Sequence, residues 1–145
     1  MMPEQQLFAL YLATAEKVSD RRQQTNAWML SVHSALLALL GLVGAGKAVE
    51  AADDRGLWMM AVPVAGIMAA LAWTGLLESF RKLNEAKFKV IHEMEKALPF
   101  QPFQKERAFY TAQDRSPLSA VERWVPWAFL ALYAAALLPL MRAPA

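Results

Sequence analysis

Hydrophobic positions cluster along this chain instead of spreading through it. Three stretches contain no Asp, Glu, Lys or Arg: residues 27–46, 57–77 and 124–141, of 20, 21 and 18 residues. A bilayer core of about 30 Å takes roughly 20 helical residues, so all three are long enough to span, the last marginally. A chain this short could not cover three such helices inside a soluble core. The first run starts too far along the chain, and is too long, to be a cleaved signal sequence.

The flanking stretches are amphipathic. Leu7, Phe8, Tyr11, Ala15 and Val18 recur at helical spacing with Glu4, Glu16, Lys17 and Asp20 among them. No Gly or Pro separates this stripe from the first apolar run, so one helix from Glu4 to Gly44 is expected. Leu83, Ala86, Val90, Met94, Ala97 and Leu98, widened by Ile91, make a second stripe that continues the second run to Leu98, where Pro99 stops it. These two extensions should lie side by side, each burying its stripe on the other or on a neighbouring subunit. The expected fold is an all-α integral membrane protein with three transmembrane helices. The first two extend into the cytosol as a long antiparallel hairpin.

Residues 1–145 then form a single membrane domain. It comprises a leg and first span over 4–46, an outer loop over 47–56, a second span and leg over 57–98, a cytosolic loop over 99–118, and a third span over 119–141. Ser119 to Glu122 has the capping-box pattern that would start the third helix. Pro139 should bend or end that helix. The 99–118 segment holds Phe100, Phe103, Phe109 and Tyr110, too aromatic for a solvated linker, and should pack on the legs or bind a partner.

Charge sets an orientation. Of 15 Lys and Arg, three lie in residues 1–26 and nine in 78–123, against two in the 47–56 loop and one in the tail. The positive-inside rule places the N-terminus and the 78–123 segment in the cytoplasm and the C-terminus in the periplasm. Trp28, Trp58, Trp124 and Trp127 fall at span ends, as an aromatic belt requires. The net charge of +2 is too small for a nucleic-acid surface, and 57% hydrophobic residues exclude disorder. The absence of cysteine removes disulfides, thiol nucleophiles and cysteine-ligated metals.

Two apparent motifs fail on chemistry. Gly41 to Gly46, then Lys47, approximates a phosphate-binding loop, but Ala48 replaces the Mg²⁺-binding hydroxyl and the segment ends a membrane helix, not a strand. Ala38, Gly41 and Gly44 read better as a helix-packing or oligomer face, with Gly46 as a helix stop. His92-Glu93 starts a zinc-protease pattern whose second histidine is Lys96. No metal, cofactor or catalytic set is expected.

His33 is an intramembrane polar residue. It either makes an interhelical hydrogen bond, the simpler role, or serves function. Glu78 should pair with Arg81 or Lys82. Arg21, Arg22 and Asn26 before the first span should face Arg81, Lys82 and Asn84 after the second, making lipid-headgroup candidates.

The stretch Arg81-Lys82-Leu83-Asn84-Glu85-Ala86-Lys87, continuing through His92 to Leu98 and Pro99-Phe100-Gln101-Pro102-Phe103, is the most distinctive text in the chain. With Ser19-Asp20-Arg21-Arg22 and Asn26 before it, it resembles the RipA family of small octameric bacterial membrane proteins. The resemblance covers nearly the whole chain. It implies an inner-membrane homo-octamer linked to envelope lipid homeostasis, and it implies no enzymatic activity. A non-enzymatic scaffold or regulator, binding itself and membrane lipids and no nucleic acid, is therefore expected; an oligomeric channel is the alternative. The first span offers a pore only Ser31, His33 and Ser34, and the second little beyond Thr74.

The orientation has a direct check. Protease added outside intact spheroplasts should leave residues 99–118 uncut and should cut them in inverted vesicles; cleavage from outside would reverse the topology.

Overall fold

In the computed structural model, residues 4–49, 52–99, 101–112 and 121–142 are described. They form four helices: α1 over Glu4–Gly44, α2 over Ala52–Glu95, α3 over Pro102–Ala112 and α4 over Val125–Arg142. At 41 and 44 residues, α1 and α2 are each roughly 60–65 Å long, twice the depth of a bilayer core. They run antiparallel. Gly44 lies near Met59, the Asn26 amide bonds the Trp73 indole, and Thr14 bonds Lys87, so numbers rise in one helix as they fall in the other. α4 packs against the apolar half of α2, Phe129 against Trp73 and Tyr133 against Gly66, and also reaches α1 at His33. The architecture is thus the expected all-α hairpin with a third apolar helix.

The turn closing α1 follows from Gly46, whose φ of 69° is a left-handed conformation that a Cβ disfavours. Lys47 N–H donates to the Leu42 carbonyl at 2.9 Å and Gly46 N–H to Val43 at 3.0 Å, the paired bonds of a Schellman stop. Arg55 donates to the Gly44 carbonyl across the turn. The outer loop is shorter than expected, because α2 begins at Ala52 within the 47–56 stretch. Pro63 sits inside α2 and is buried. A membrane helix tolerates it because neighbouring groups can compensate the lost backbone bond.

Three other expectations differ from what is seen. The 99–118 segment is not all loop: Pro102 takes the first position of α3, where its missing N–H costs nothing. α2 ends at Glu95, and the three residues after it, up to Leu98, are held by tightened bonds to Glu93, Met94 and Glu95 carbonyls before Pro99. Of the two outcomes expected at Pro139, termination is not seen, since α4 continues to Arg142. Ser119 of the expected capping box, like Phe100, lies outside the described residues.

The stripe on the α2 leg is partly displaced. Leu83 and Val90 are exposed, Ile91 is buried and Met94 lies near Leu7 and Phe8 of α1, and the polar Lys87 and Glu95 also turn inward. Lys87 is partnered there, and Glu95 has one of its two buried oxygens partnered. Lys87 Nζ donates to Thr14 Oγ1 at 2.9 Å and lies 5.0 Å from the centre of the Tyr11 ring. Glu95 Oε1 accepts the Phe103 N–H at 2.7 Å, capping α3. Phe103 stacks near Phe8 of α1 and Phe88 of α2, so α3 ties together the ends of both legs.

At Gly66 the Tyr133 ring of α4 packs directly on the α2 backbone, and a Cβ built there would overlap the ring. Gly66→Ala should therefore destabilise the purified protein by about 1–3 kcal/mol in detergent unfolding. Gly75→Ala, with nothing within 4 Å, should leave stability unchanged or slightly raised.

Candidate functional site: a cluster and a cavity at the end of the spans

The apolar halves of α1, α2 and α4 meet around His33, which is fully buried. Its ring stacks on Phe129 at 4.5 Å and on Trp73 at 5.6 Å. The Tyr133 hydroxyl lies 3.1 Å from His33 Nδ1 and 3.4 Å from the His33 carbonyl oxygen. The arrangement that leaves no N–H orphaned has Nδ1–H donating to the hydroxyl and the hydroxyl donating to the carbonyl. Nε2 is then a bare lone pair without a partner among the described residues, which is cheaper than a buried unpaired N–H. The expected interhelical hydrogen bond of His33 is thus present, with Tyr133 as its partner.

A second polar chain runs from this cluster to the end of the spans. Trp73 Nε1 donates to Asn26 Oδ1 at 2.9 Å, Asn26 Nδ2 donates to Glu122 Oε2 at 3.3 Å, and Arg22 Nε lies 3.6 Å from the same oxygen. Glu122, read from sequence as part of a capping box, has its side chain turned to α1. Asn26 makes both of its side-chain bonds within the protein.

Beside this chain lies a cavity of about 200 Å³. Its charged wall is Arg22, Arg81 and Arg123 with Glu78 and Glu122; its other wall is Thr74, Leu77 and Trp127. Leu77 ends the second uncharged run and Glu78 follows it, so the cavity sits where apolar segment gives way to charge. Arg81 donates to both Glu78 oxygens, at 2.8 and 3.0 Å. That fork holds the Glu78 carboxyl at about 2, against the opposing pull of desolvation, with Lys82 adding to the lowering. Glu78 is therefore ionised throughout the physiological range, paired with both basic partners the sequence offered it.

Of the headgroup candidates, the fold brings Arg22 and Arg81 together in this cavity. Arg21 is exposed and does not line it. Lys82 is exposed and 3.6 Å from Glu78, outside the lining. Asn84 lies further along the leg, with its Oδ1 buried and unpartnered. Of the packing candidates, Ala38 and Gly41 are exposed in the single chain, and a Cβ at Gly41 would meet nothing. Gly44 lies 3.9 Å from Met59 Sδ, and Phe103 belongs to the aromatic contact at the leg ends.

Sequence reading missed Trp73, Phe129, Tyr133 and the cavity roles of Glu122 and Arg123. A tyrosine and a histidine both inside apolar runs were the available signal for one of these pairs. Among the described residues no group of three or more His, Asp or Glu is placed to hold a metal.

The model of the octameric membrane protein family, 8xMP, matches residues 5–141. The chain belongs to that family. No curated protein and no solved structure matches it. As an octameric membrane protein it has a use for surface that one subunit leaves bare: only 11% of the most apolar stretch of α1, and 28% of that of α2, is buried within the chain.

Tyr133→Phe removes the hydroxyl from His33 without changing the ring packing. Intramembrane side-chain hydrogen bonds average about 0.6 kcal/mol and reach about 1.7. The variant should lose stability within that range in unfolding titrations.

Proposed function

We propose that this octameric membrane protein is a non-enzymatic scaffold of the bacterial inner membrane that holds phospholipid headgroups in the Arg22–Arg81–Arg123 cavity, and that it serves envelope lipid homeostasis. The observation that carries the reading is the position and lining of the cavity. Guanidinium donors suit phosphate oxygens, and an indole and leucine wall suits the glycerol and upper acyl region. The N-terminus and the legs lie on the cytoplasmic side in this reading, which the Lys and Arg distribution supports.

A non-enzymatic role fits the chemistry of the wall. Thr74 supplies the one hydroxyl among the lining residues, and it donates to the Ala70 carbonyl at 2.9 Å. No base stands next to it in that bond. The channel alternative draws little support, because His33, Tyr133 and Asn26 are turned into the three-helix core instead of onto an open face.

Subunit contacts have two natural surfaces. Ala27, Ser31, Ser34, Ala38 and Gly41 recur every three or four residues along α1 and are all exposed. Small residues at this spacing let helices approach closely. Leu83 and Val90 extend an apolar edge along the α2 leg.

Native mass spectrometry tests the lipid reading. The wild-type octamer should release from detergent with phospholipid retained, about one per subunit cavity. Arg81→Ala and Arg123→Ala should each lower retention severalfold with the octamer intact. Equal retention in both variants would remove the cavity as a lipid site.

A further inference from the structure

The charge inventory of the cavity is unusual for a site that takes only an anion. Three guanidiniums face two carboxylates, and these groups are not equally committed. Arg81 and Glu78 satisfy each other through two short bonds. Arg22 approaches Glu122 only at 3.6 Å, beyond ordinary hydrogen-bond distance. Glu122 Oε2 takes the Asn26 amide at 3.3 Å, and Glu122 Oε1 accepts no bond among the described residues. Arg123, next in the chain, has no ion-pair partner among the described residues. The cavity therefore keeps one uncommitted cation and one partly committed anion on adjacent residues, at the turn leading into α4.

On the reading of the cavity as a lipid site, we propose that its preferred occupant is a zwitterionic phospholipid carrying a primary ammonium, the phosphatidylethanolamine class. The phosphate accepts from Arg123 and from the outer donors of Arg22. The ammonium, two carbons away, donates to Glu122 Oε1. A carboxylate has about four acceptor positions and an ammonium three donors, so the pairing leaves neither overfilled. A phosphatidylglycerol headgroup brings hydroxyl donors but no positive charge, so the charge of Glu122 stays uncompensated beside the phosphate, and like charges in a partly desolvated site oppose binding. A quaternary ammonium brings the charge without an N–H. The cavity thus distinguishes phosphatidylethanolamine from phosphatidylglycerol by Glu122 and from phosphatidylcholine by hydrogen bonding. Leu77 and Trp127 beside the charged wall make the lipid, not its free headgroup, the ligand.

The experiment is lipid exchange into the delipidated octamer, read by native mass spectrometry with equimolar phosphatidylethanolamine, phosphatidylglycerol and phosphatidylcholine. Wild type should prefer phosphatidylethanolamine over either competitor by about tenfold, as loss of one charge-assisted bond implies. Glu122→Gln keeps an acceptor for Asn26 and should bring the ethanolamine-to-glycerol ratio close to one, through a loss of phosphatidylethanolamine binding. Arg123→Ala should weaken all three lipids. Equal binding of the three by wild type, or an unchanged ratio in Glu122→Gln, would overturn the ethanolamine assignment while leaving the lipid reading intact. Binding of none of them would overturn the lipid reading itself. Glycerophosphoethanolamine, which lacks acyl chains, should compete poorly; competition as strong as the lipid's would overturn the lipid as ligand.

Discussion

A polar side chain placed in an apolar helix has to find its partner inside the protein, because hydrocarbon offers none. His33 and Trp73 meet that constraint by bonding across helices, the first to Tyr133 and the second to Asn26. Removing apolar side chains from lipid contributes little to helix association, so packing and such bonds decide which faces meet. Gly66 allows the Tyr133 ring to seat directly on α2, and the seated ring places its hydroxyl at His33. The position of α4 therefore follows from two residues on two other helices. With α4 placed, Glu122 and Arg123 arrive beside Arg22 and Arg81, and the cavity exists.

The same logic governs the legs, with water in place of lipid. Lys87 and Glu95 sit in the contact between elements, where Thr14 and Tyr11 partner Lys87 and the α3 N-terminus partners one oxygen of Glu95. This leaves Leu83 and Val90 facing outward. A chain whose leg exposes apolar side chains is suited to a neighbour of the same kind. The octameric family to which it belongs supplies seven such neighbours.

Much of this was legible from residue order. Uncharged runs, unbroken amphipathic continuations and the Gly46 stop define α1 to its last residue and the hairpin register in outline, because helix length and termination are local properties. Long-range placement was not legible in the same way. The Leu83–Val90 stripe has the better hydrophobic periodicity, yet the face with Lys87 and Glu95 is the paired one, since partnership depends on residues 73 and 8 positions away in the chain. α3 was obscured by its prolines, which mark loops and helix starts alike. Arg22 and Arg81 were readable as headgroup-level cations. Glu122 and Arg123 were not, because their place depends on how α4 docks through Tyr133.

The most direct measurement is the structure of the octamer in lipid nanodiscs containing phosphatidylethanolamine and phosphatidylglycerol. The account predicts eight copies meeting along the exposed face of α1, with one phospholipid headgroup between Arg22, Arg123 and Glu122 in every subunit. Cavities filled by side chains of the adjacent subunit, or His33 and Tyr133 separated and facing a water-filled axis, would contradict it.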